Sequence, residues 1–129
     1  MQSRLKTRAT LAICGVALAT IPIGAFAARA HMQTYKANVT IHFDRKSQTL
    51  DGHVGTSVFC HADRTVSVYR TDSGNQLVGT AVSDHSGQWG PVSWDGPGTY
   101  VASVAEIHEG GYGHDHLCLA GSSSPLSAP

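Results

Sequence analysis

The histidines between residues 108 and 116 have the type and the spacing that metal binding requires, in a segment that reads HEGGYGHDH. His114 and His116 stand at alternate positions, and alternate side chains of an extended chain point to the same side. Two imidazoles on one side are close enough to share a metal ion, and nitrogen ligands suit Zn²⁺ and Cu²⁺. Together with His108 at the start of the segment, they indicate a candidate metal site.

Two cysteines connect this segment to the middle of the chain. A disulfide between Cys60 and Cys118 would hold their Cα atoms about 5.5 Å apart. His61 follows Cys60 directly and His116 lies two residues before Cys118, so the bridge draws these histidines into one neighbourhood. The hypothesis is a Zn²⁺ or Cu²⁺ site with four histidine ligands: His61, His108, His114 and His116. The alternative is that these histidines are solvated side chains on a polar, glycine-rich loop over residues 109–115.

The first thirty residues are predicted to be a secretory signal peptide. Three basic residues precede an uncharged apolar run over residues 11–26, and small residues at the required spacing allow cleavage after Ala27 or after Ala30. Cys14 leaves with this segment, so Cys60 and Cys118 remain, and an oxidising compartment favours their pairing. The bridge would close a loop of about 58 residues, which the chain-entropy treatment values at about 4 kcal/mol of stability.

The cleavage site decides whether a second metal-binding feature exists. Cleavage after Ala30 makes His31 the first residue, and its amine and imidazole together chelate copper. Cleavage after Ala27 removes this feature. A small copper protein that uses His31 is therefore a third interpretation of the chain, beside a binding module and a histidine-rich metal-binding protein.

The charge and size of the exported chain limit its partners. Residues 31–129 are enough for one domain, and they contain five Lys and Arg against nine Asp and Glu, a net charge of −4 with neutral histidines. An acidic surface argues against nucleic acid and against anionic membranes as partners. No segment after the signal peptide is apolar enough to span a membrane. We expect a secreted monomer.

Residues 65–104 show the clearest structural pattern, because short alternating runs are separated by turns that contain Gly, Asn, Asp or Pro. Alternation at period two places one set of side chains on one face of a sheet, and the turn residues supply the conformations that tight turns need. Two further strands are predicted over residues 35–43 and 50–59. The second is interrupted by Gly52 and Gly55, which indicates a bulge or a close backbone contact.

These patterns predict the fold class. The chain should form an all-β, antiparallel sandwich of about seven strands over residues 31–120, linked by one disulfide. Trp89, Trp94 and Tyr100 are expected in the core, since aromatic residues of small sandwiches mostly fill the space between the sheets. The alternative is an exposed strip on which carbohydrate stacks. Residues 121–129 lack apolar periodicity and are predicted to be a mobile tail.

The order of these strands and turns resembles a known family. A Val-x-Val strand, an acidic turn with Gly, Asp-x-x-Gly-x-aromatic and Pro-Gly-x-Tyr are similar to the carboxypeptidase-regulatory-like domains. These are immunoglobulin-like, transthyretin-like (prealbumin-like) sandwiches, close to the B-type repeats of bacterial surface adhesins. The residues that carry the resemblance are Val66, Val68, Asp72, Gly74, Val82, Asp84, Gly87, Trp89, Pro97, Gly98, Tyr100 and Val104. The resemblance implies the fold and no particular activity, because this architecture supports many roles.

No arrangement typical of an enzyme stands out. The chain has no nucleophile-elbow sequence, no pair of carboxylates in an apolar context and no glycine-rich phosphate loop between a strand and a helix. We therefore predict a secreted, non-catalytic structural or binding module at or outside the cell surface. It should need no cofactor, and its partner would be an unknown protein or carbohydrate. The alternative is a histidine-rich protein that binds Zn²⁺ or Cu²⁺.

Overall fold

The computed structural model describes residues 31–55, 57–111 and 114–129, and the predicted signal peptide lies outside these ranges. The described residues form twelve β-strands in three sheets and no helix, so none of their segments is a helix that could cross a membrane. The predicted all-β fold class is confirmed. The predicted disulfide is also present: Cys60 and Cys118 are bonded and buried, with their Cα atoms 5.5 Å apart.

The strands follow one another with short connections. They are β1 (His31–Tyr35), β2 (Asn38–Val39), β3 (His42–Asp44), β4 (Thr49–Gly55), β5 (Thr65–Arg70), β6 (Gln76–Val82), β7 (Gln88–Ser93), β8 (Gly98–Val104), β9 (Ile107–Gly111), β10 (His114–Cys118), β11 (Gly121–Ser122) and β12 (Leu126–Ala128). Four of these described strands, β2, β3, β11 and β12, contain only two or three residues. With these short strands included, the described residues form more strands than the seven or so predicted.

Two of the sheets enclose the hydrophobic core. One has the order β11–β8–β5–β6 with β12 also paired to β8, and the other has the order β2–β4–β3 with β7 paired to β4. In β5 the alternation works as predicted, because Val66 and Val68 are fully buried while Thr65 is exposed. Leu50 and Val54 of β4 belong to the same core. Burial of each such side chain contributes about 1.5–3 kcal/mol.

The aromatic residues predicted for the core lie there. Trp89 and Tyr100 are buried, and Trp94 is half-buried against the core. The Trp94 ring packs on Phe43 with the ring centroids 5.3 Å apart. The Tyr100 hydroxyl donates a hydrogen bond of 2.5 Å to the carbonyl of Gly96, so this side chain also fixes the turn before its own strand.

Gly52 marks the irregularity that its position predicted. The register between β4 and β7 shifts between Leu50 and Gly52. A Cβ atom at residue 52 would overlap the carbonyl oxygen of Thr40, so glycine is required for this approach of the two backbones. Opposite this point the strand predicted over residues 35–43 is divided into β2 and β3, because Thr40 leaves the regular ladder and bonds to the backbone of His53.

The expectation of an antiparallel fold throughout was wrong for one pair of strands. β1 runs parallel to β10, and β9 completes this third sheet in the order β1–β10–β9. The glycine-rich segment predicted as a loop over residues 109–115 lies mainly in β9 and β10. Polar side chains did not prevent pairing here, since the ladder is built from backbone groups.

The prediction of a mobile tail over residues 121–129 was also wrong. β11 and β12 pair with the outer edge of β8, and Ala128 is buried. Ser123 adds two hydrogen bonds to Ala102, a backbone bond of 2.8 Å to its carbonyl and a bond of 2.9 Å from its amide to the Ser123 hydroxyl. These strands are too short to show an alternating pattern, and they form because the edge of β8 offers unpaired backbone groups.

Candidate functional site

The histidine-rich segment forms part of the three-stranded sheet β1–β10–β9. His31 lies opposite His114 and Gln33 lies opposite His116 across β1 and β10, while His116 lies opposite Glu109 across β10 and β9. Residues opposite one another in neighbouring strands share a face, and alternate residues change face. We call the shared face the histidine face; its residues include His31, Gln33, Tyr35, Glu109, His114 and His116.

Four rings form a continuous row on the histidine face and beside it. The rings of Phe59 and His116 are stacked, with centroids 4.5 Å apart and planes 12° apart. The His114 ring continues the row at 6.4 Å from His116, again nearly parallel at 6°. Tyr35 lies against the row, 5.7 Å from His116 and 6.1 Å from Phe59. We call Tyr35, Phe59, His114 and His116 the aromatic row.

The aromatic row is open to solvent. Phe59 is 50% exposed, and the neighbouring Val58 is 72% exposed. His114 is exposed, while Tyr35 and His116 are half-buried. Exposed apolar side chains that are contiguous and bordered by polar residues are typical of an interaction surface.

The disulfide holds the aromatic row to the rest of the domain. Phe59 directly precedes Cys60, and His116 is the alternate residue before Cys118 in β10. Tyr35 lies opposite Cys118 across β1 and β10. The segments that present the four rings are therefore joined covalently or paired directly with a bonded cysteine. Such restraint lowers the conformational entropy that binding would cost.

The buried guanidinium of Arg64 holds together three segments next to the disulfide. Arg64 is 1% exposed. It donates hydrogen bonds of 2.9 Å to the carbonyl of Cys60, 2.7 Å to that of Ala105 and 3.1 Å to that of Leu119. Burial lowers the pKa of this guanidinium, because the charged form loses hydration. The loop before β5, the end of β8 and the end of β10 are thus joined by one side chain.

The four predicted metal ligands are not gathered at one place. His114 and His116 share the histidine face, but His108 lies opposite Leu117 and therefore on the other face. His61 lies against the turn at Gly87. Within residues 31–55, 57–111 and 114–129, no group of three or more His, Cys, Asp or Glu is arranged to hold a metal ion. The hairpin register, which the sequence did not reveal, separates His108 from the pair.

His116 has an unused polar atom under the aromatic row. Its Nδ1 atom is buried and makes no hydrogen bond to a described residue. A buried polar atom without a partner costs about 1–3 kcal/mol, so such atoms are uncommon and call for an explanation. Phe59 covers one face of this ring.

The carboxyl groups with shifted pKa values lie in turns away from the aromatic row. Hydrogen bonds from Arg70 lower the pKa of Asp72, and hydrogen bonds from Ser86 and Gln88 lower the pKa of Asp84. The carboxylate of Asp84 accepts from donors two to four residues away, whereas Asp72 accepts from Arg70, two residues away, and from the distant backbone amide of Thr99. These hydrogen bonds account for the shifts, and catalysis is not needed to explain them.

Two shallow depressions of about 290 Å³ each lie elsewhere on the surface. The first is on the outer face of β5 and β8, next to Tyr69 and Val101. The second lies between the segment that joins β2 to β3, at Ile41, and the segment that leads into β12, at Leu126. The residues that line these two depressions include no histidine, cysteine or charged side chain. The polar side chains of both linings are hydroxyls and amides, and neither lining places a general base beside a hydroxyl.

The fold and the disulfide define the chain as an all-β, disulfide-linked sandwich protein. No protein-family model, no curated protein and no solved structure matches it significantly. The resemblance to the carboxypeptidase-regulatory-like domains accordingly stays a prediction.

Three residues of the site region were missed by the sequence reasoning. Phe59 is as close to Cys60 along the chain as His61 is, so the disulfide argument that selected His61 applied equally to Phe59. Tyr35 reaches the site through the parallel pairing of β1 with β10, which no local pattern indicates. The burial of Arg64 could not be predicted, because the residues around an arginine in the sequence do not show whether its side chain is buried or exposed.

Proposed function

We propose that this protein is a secreted, non-catalytic binding module that docks a protein partner on the aromatic row. The observation that carries this proposal is the stack of Phe59, His116 and His114, which is flanked by Tyr35 and partly exposed. Aromatic side chains are enriched at protein interfaces, where they provide large contact areas for a small entropy cost. The disulfide supplies the rigidity that such a surface needs.

The geometry favours a protein over a carbohydrate as the partner. A sugar ring stacks on an open aromatic face, and the mutual stacking of Phe59 and His116 leaves only one face of each ring for such contact. The edges of the row and the exposed Val58 are suited to apolar side chains. Polar groups next to them, such as Gln33 and Glu109, would form the rim of the interface.

Secretion is part of the proposal. The disulfide between Cys60 and Cys118 fits an oxidising compartment, and the N-terminal segment has the features of a signal peptide. We place the protein at or outside the cell surface. Its function there would require no cofactor.

The test compares two variants with equally exposed apolar residues. Phe59→Ala removes the outer ring of the aromatic row, and Leu77→Ala removes a side chain of similar exposure in β6, at 53% against 50%. The immobilised mature protein would be used to capture extracellular proteins of the producing cells and to probe a glycan array. Loss of a central aromatic contact typically costs 2 kcal/mol or more, so Phe59→Ala should weaken partner binding at least about 30-fold.

The outcomes separate the possibilities. Capture that Phe59→Ala abolishes and Leu77→Ala preserves supports the proposal. Equal capture by the wild type and both variants overturns it. So does a result in which Phe59→Ala weakens glycan binding and leaves protein capture unchanged. Unfolding curves of both variants with the disulfide intact would show that the comparison is made between folded proteins.

A further inference from the structure

The parallel pairing of β1 with β10 places two histidines side by side. His31 lies directly opposite His114 on the histidine face, and both side chains are exposed. Neighbouring strands are about 4.8 Å apart, so imidazoles on directly paired residues are close enough to bind one metal ion. The two residues are far apart in the sequence, and only the sheet brings them together.

His31 would contribute two donors if it were the first residue of the mature protein. Cleavage after Ala30, one of the two sites that the signal sequence allows, creates an α-amine on His31. This amine and the Nδ1 atom of the same residue close a six-membered chelate ring around a metal ion. We propose that the mature N-terminus forms a copper site with three nitrogen ligands: the amine and Nδ1 of His31 and one imidazole nitrogen of His114.

The donor set selects Cu²⁺ over other divalent ions. All three donors are neutral nitrogens, which suit the tetragonal geometry of Cu²⁺, and Cu²⁺ leads the affinity order of the first-row divalent metals. Asp115 lies on the opposite face of the sheet, so its carboxylate does not compete for the ion.

His116 has a positioning role in this site. Its ring is parallel to that of His114 with the centroids 6.4 Å apart, and the Phe59 ring stacks on it with the centroids 4.5 Å apart. The stack limits the orientations that the His114 imidazole adopts before the ion arrives, and such support typically changes metal affinity 10–100-fold. The site shares His114 and His116 with the aromatic row, but it does not require the proposed protein docking, because the ion binds without a protein partner.

The experiment begins with the terminus that the cell produces. The protein would be secreted from cells with its own residues 1–30, and its intact mass would identify the first residue. Cu²⁺ and Zn²⁺ would then be titrated by calorimetry, and electron paramagnetic resonance would count the nitrogen ligands of bound Cu²⁺. We expect a mass that begins at His31, one equivalent of Cu²⁺ bound more tightly than Zn²⁺, and a spectrum with nitrogen couplings.

Two variants and one matched control test the ligands. His114→Ala removes one imidazole, and a variant acetylated on the α-amine of His31 loses that donor without a change in any side chain. Each should weaken Cu²⁺ binding at least about 100-fold, because loss of a direct ligand exceeds the effect of lost support. His108→Ala, on the other face of the same sheet, should leave the affinity unchanged.

The proposal is overturned by a mature chain that begins at Ala28. It is equally overturned if the N-terminally acetylated chain or the His114→Ala variant, shown to be folded by its melting curve, binds Cu²⁺ within about threefold of the wild type. Neither result affects the docking proposal, which is tested with Phe59→Ala in the absence of metal.

Discussion

Replacement of Arg64 by methionine should destabilise the domain by about 3 kcal/mol. The side chain is 1% exposed and donates three hydrogen bonds to backbone carbonyls. Each hydrogen bond from a charged donor is worth about 1.5–3 kcal/mol. The lower value applies here, because the bonds to Ala105 and Leu119 are only partly buried. Three such bonds total about 4.5 kcal/mol.

Part of this loss of stability is offset, because methionine needs no hydration of a charge. A buried guanidinium has given up its hydration, as its lowered pKa shows, and methionine carries no such cost. Methionine also retains most of the apolar contact of the arginine stem. The net loss of stability is therefore about 3 kcal/mol.

The assay is urea unfolding with the disulfide intact, followed by the fluorescence of the two tryptophans. Arg45→Met is the matched control, because Arg45 is exposed in the turn before β4 and its loss should change the free energy of unfolding by less than about 0.5 kcal/mol. Arg64→Lys should fall between the two, since an ammonium lacks the planar fork that reaches three separate carbonyls. A change below about 1 kcal/mol in Arg64→Met would refute the assigned role.

Two further predictions concern the C-terminal strands and acid stability. A chain that stops after Ala120 should lose about 3 kcal/mol of stability, because it gives up the burial of Ala128 and Leu126 and the two Ser123 bonds to Ala102. Urea unfolding measures this loss, with removal of Pro129 alone as the control. Equal stability of the truncated and full-length chains would support the prediction of a mobile tail. In the acid range, stability should fall as the pH drops below about 4, because the pKa of Asp84 in the folded protein lies below its ordinary value of 3.8 and the unfolded chain therefore takes up protons first. Asp84→Asn should flatten this dependence in unfolding curves recorded between about pH 5 and pH 2.5, and an unchanged slope would show that the hydrogen bonds from Ser86 and Gln88 do not act through the carboxylate charge.

The core and the disulfide could be predicted from the sequence because their signals are local or compositional. Alternation in β5 placed Val66 and Val68 in the core, and both are fully buried. Gly52 alone, with no knowledge of distant residues, correctly predicted an irregular strand. The cysteine pair required only the expectation of export, and the bond is present.

The candidate site could be predicted only in part. The disulfide argument correctly brought His116 into the neighbourhood of Cys60, yet it selected His61 where the structure stacks Phe59. The spacing of His114 and His116 correctly placed both on one side. It said nothing about His108, which the hairpin register places on the other face.

The sequence alone determined the all-β class, the buried aliphatic positions and the covalent link. Side-chain periodicity is visible in neighbouring residues, and the number of cysteines is visible in the composition. Only the tertiary structure decided that His31 lies beside His114, that Tyr35 joins the aromatic row and that residues 121–128 complete a sheet. Strand pairing is made by backbone groups that every residue possesses. Which distant strands pair, and in which register, is therefore decided by how the whole chain satisfies those groups at once.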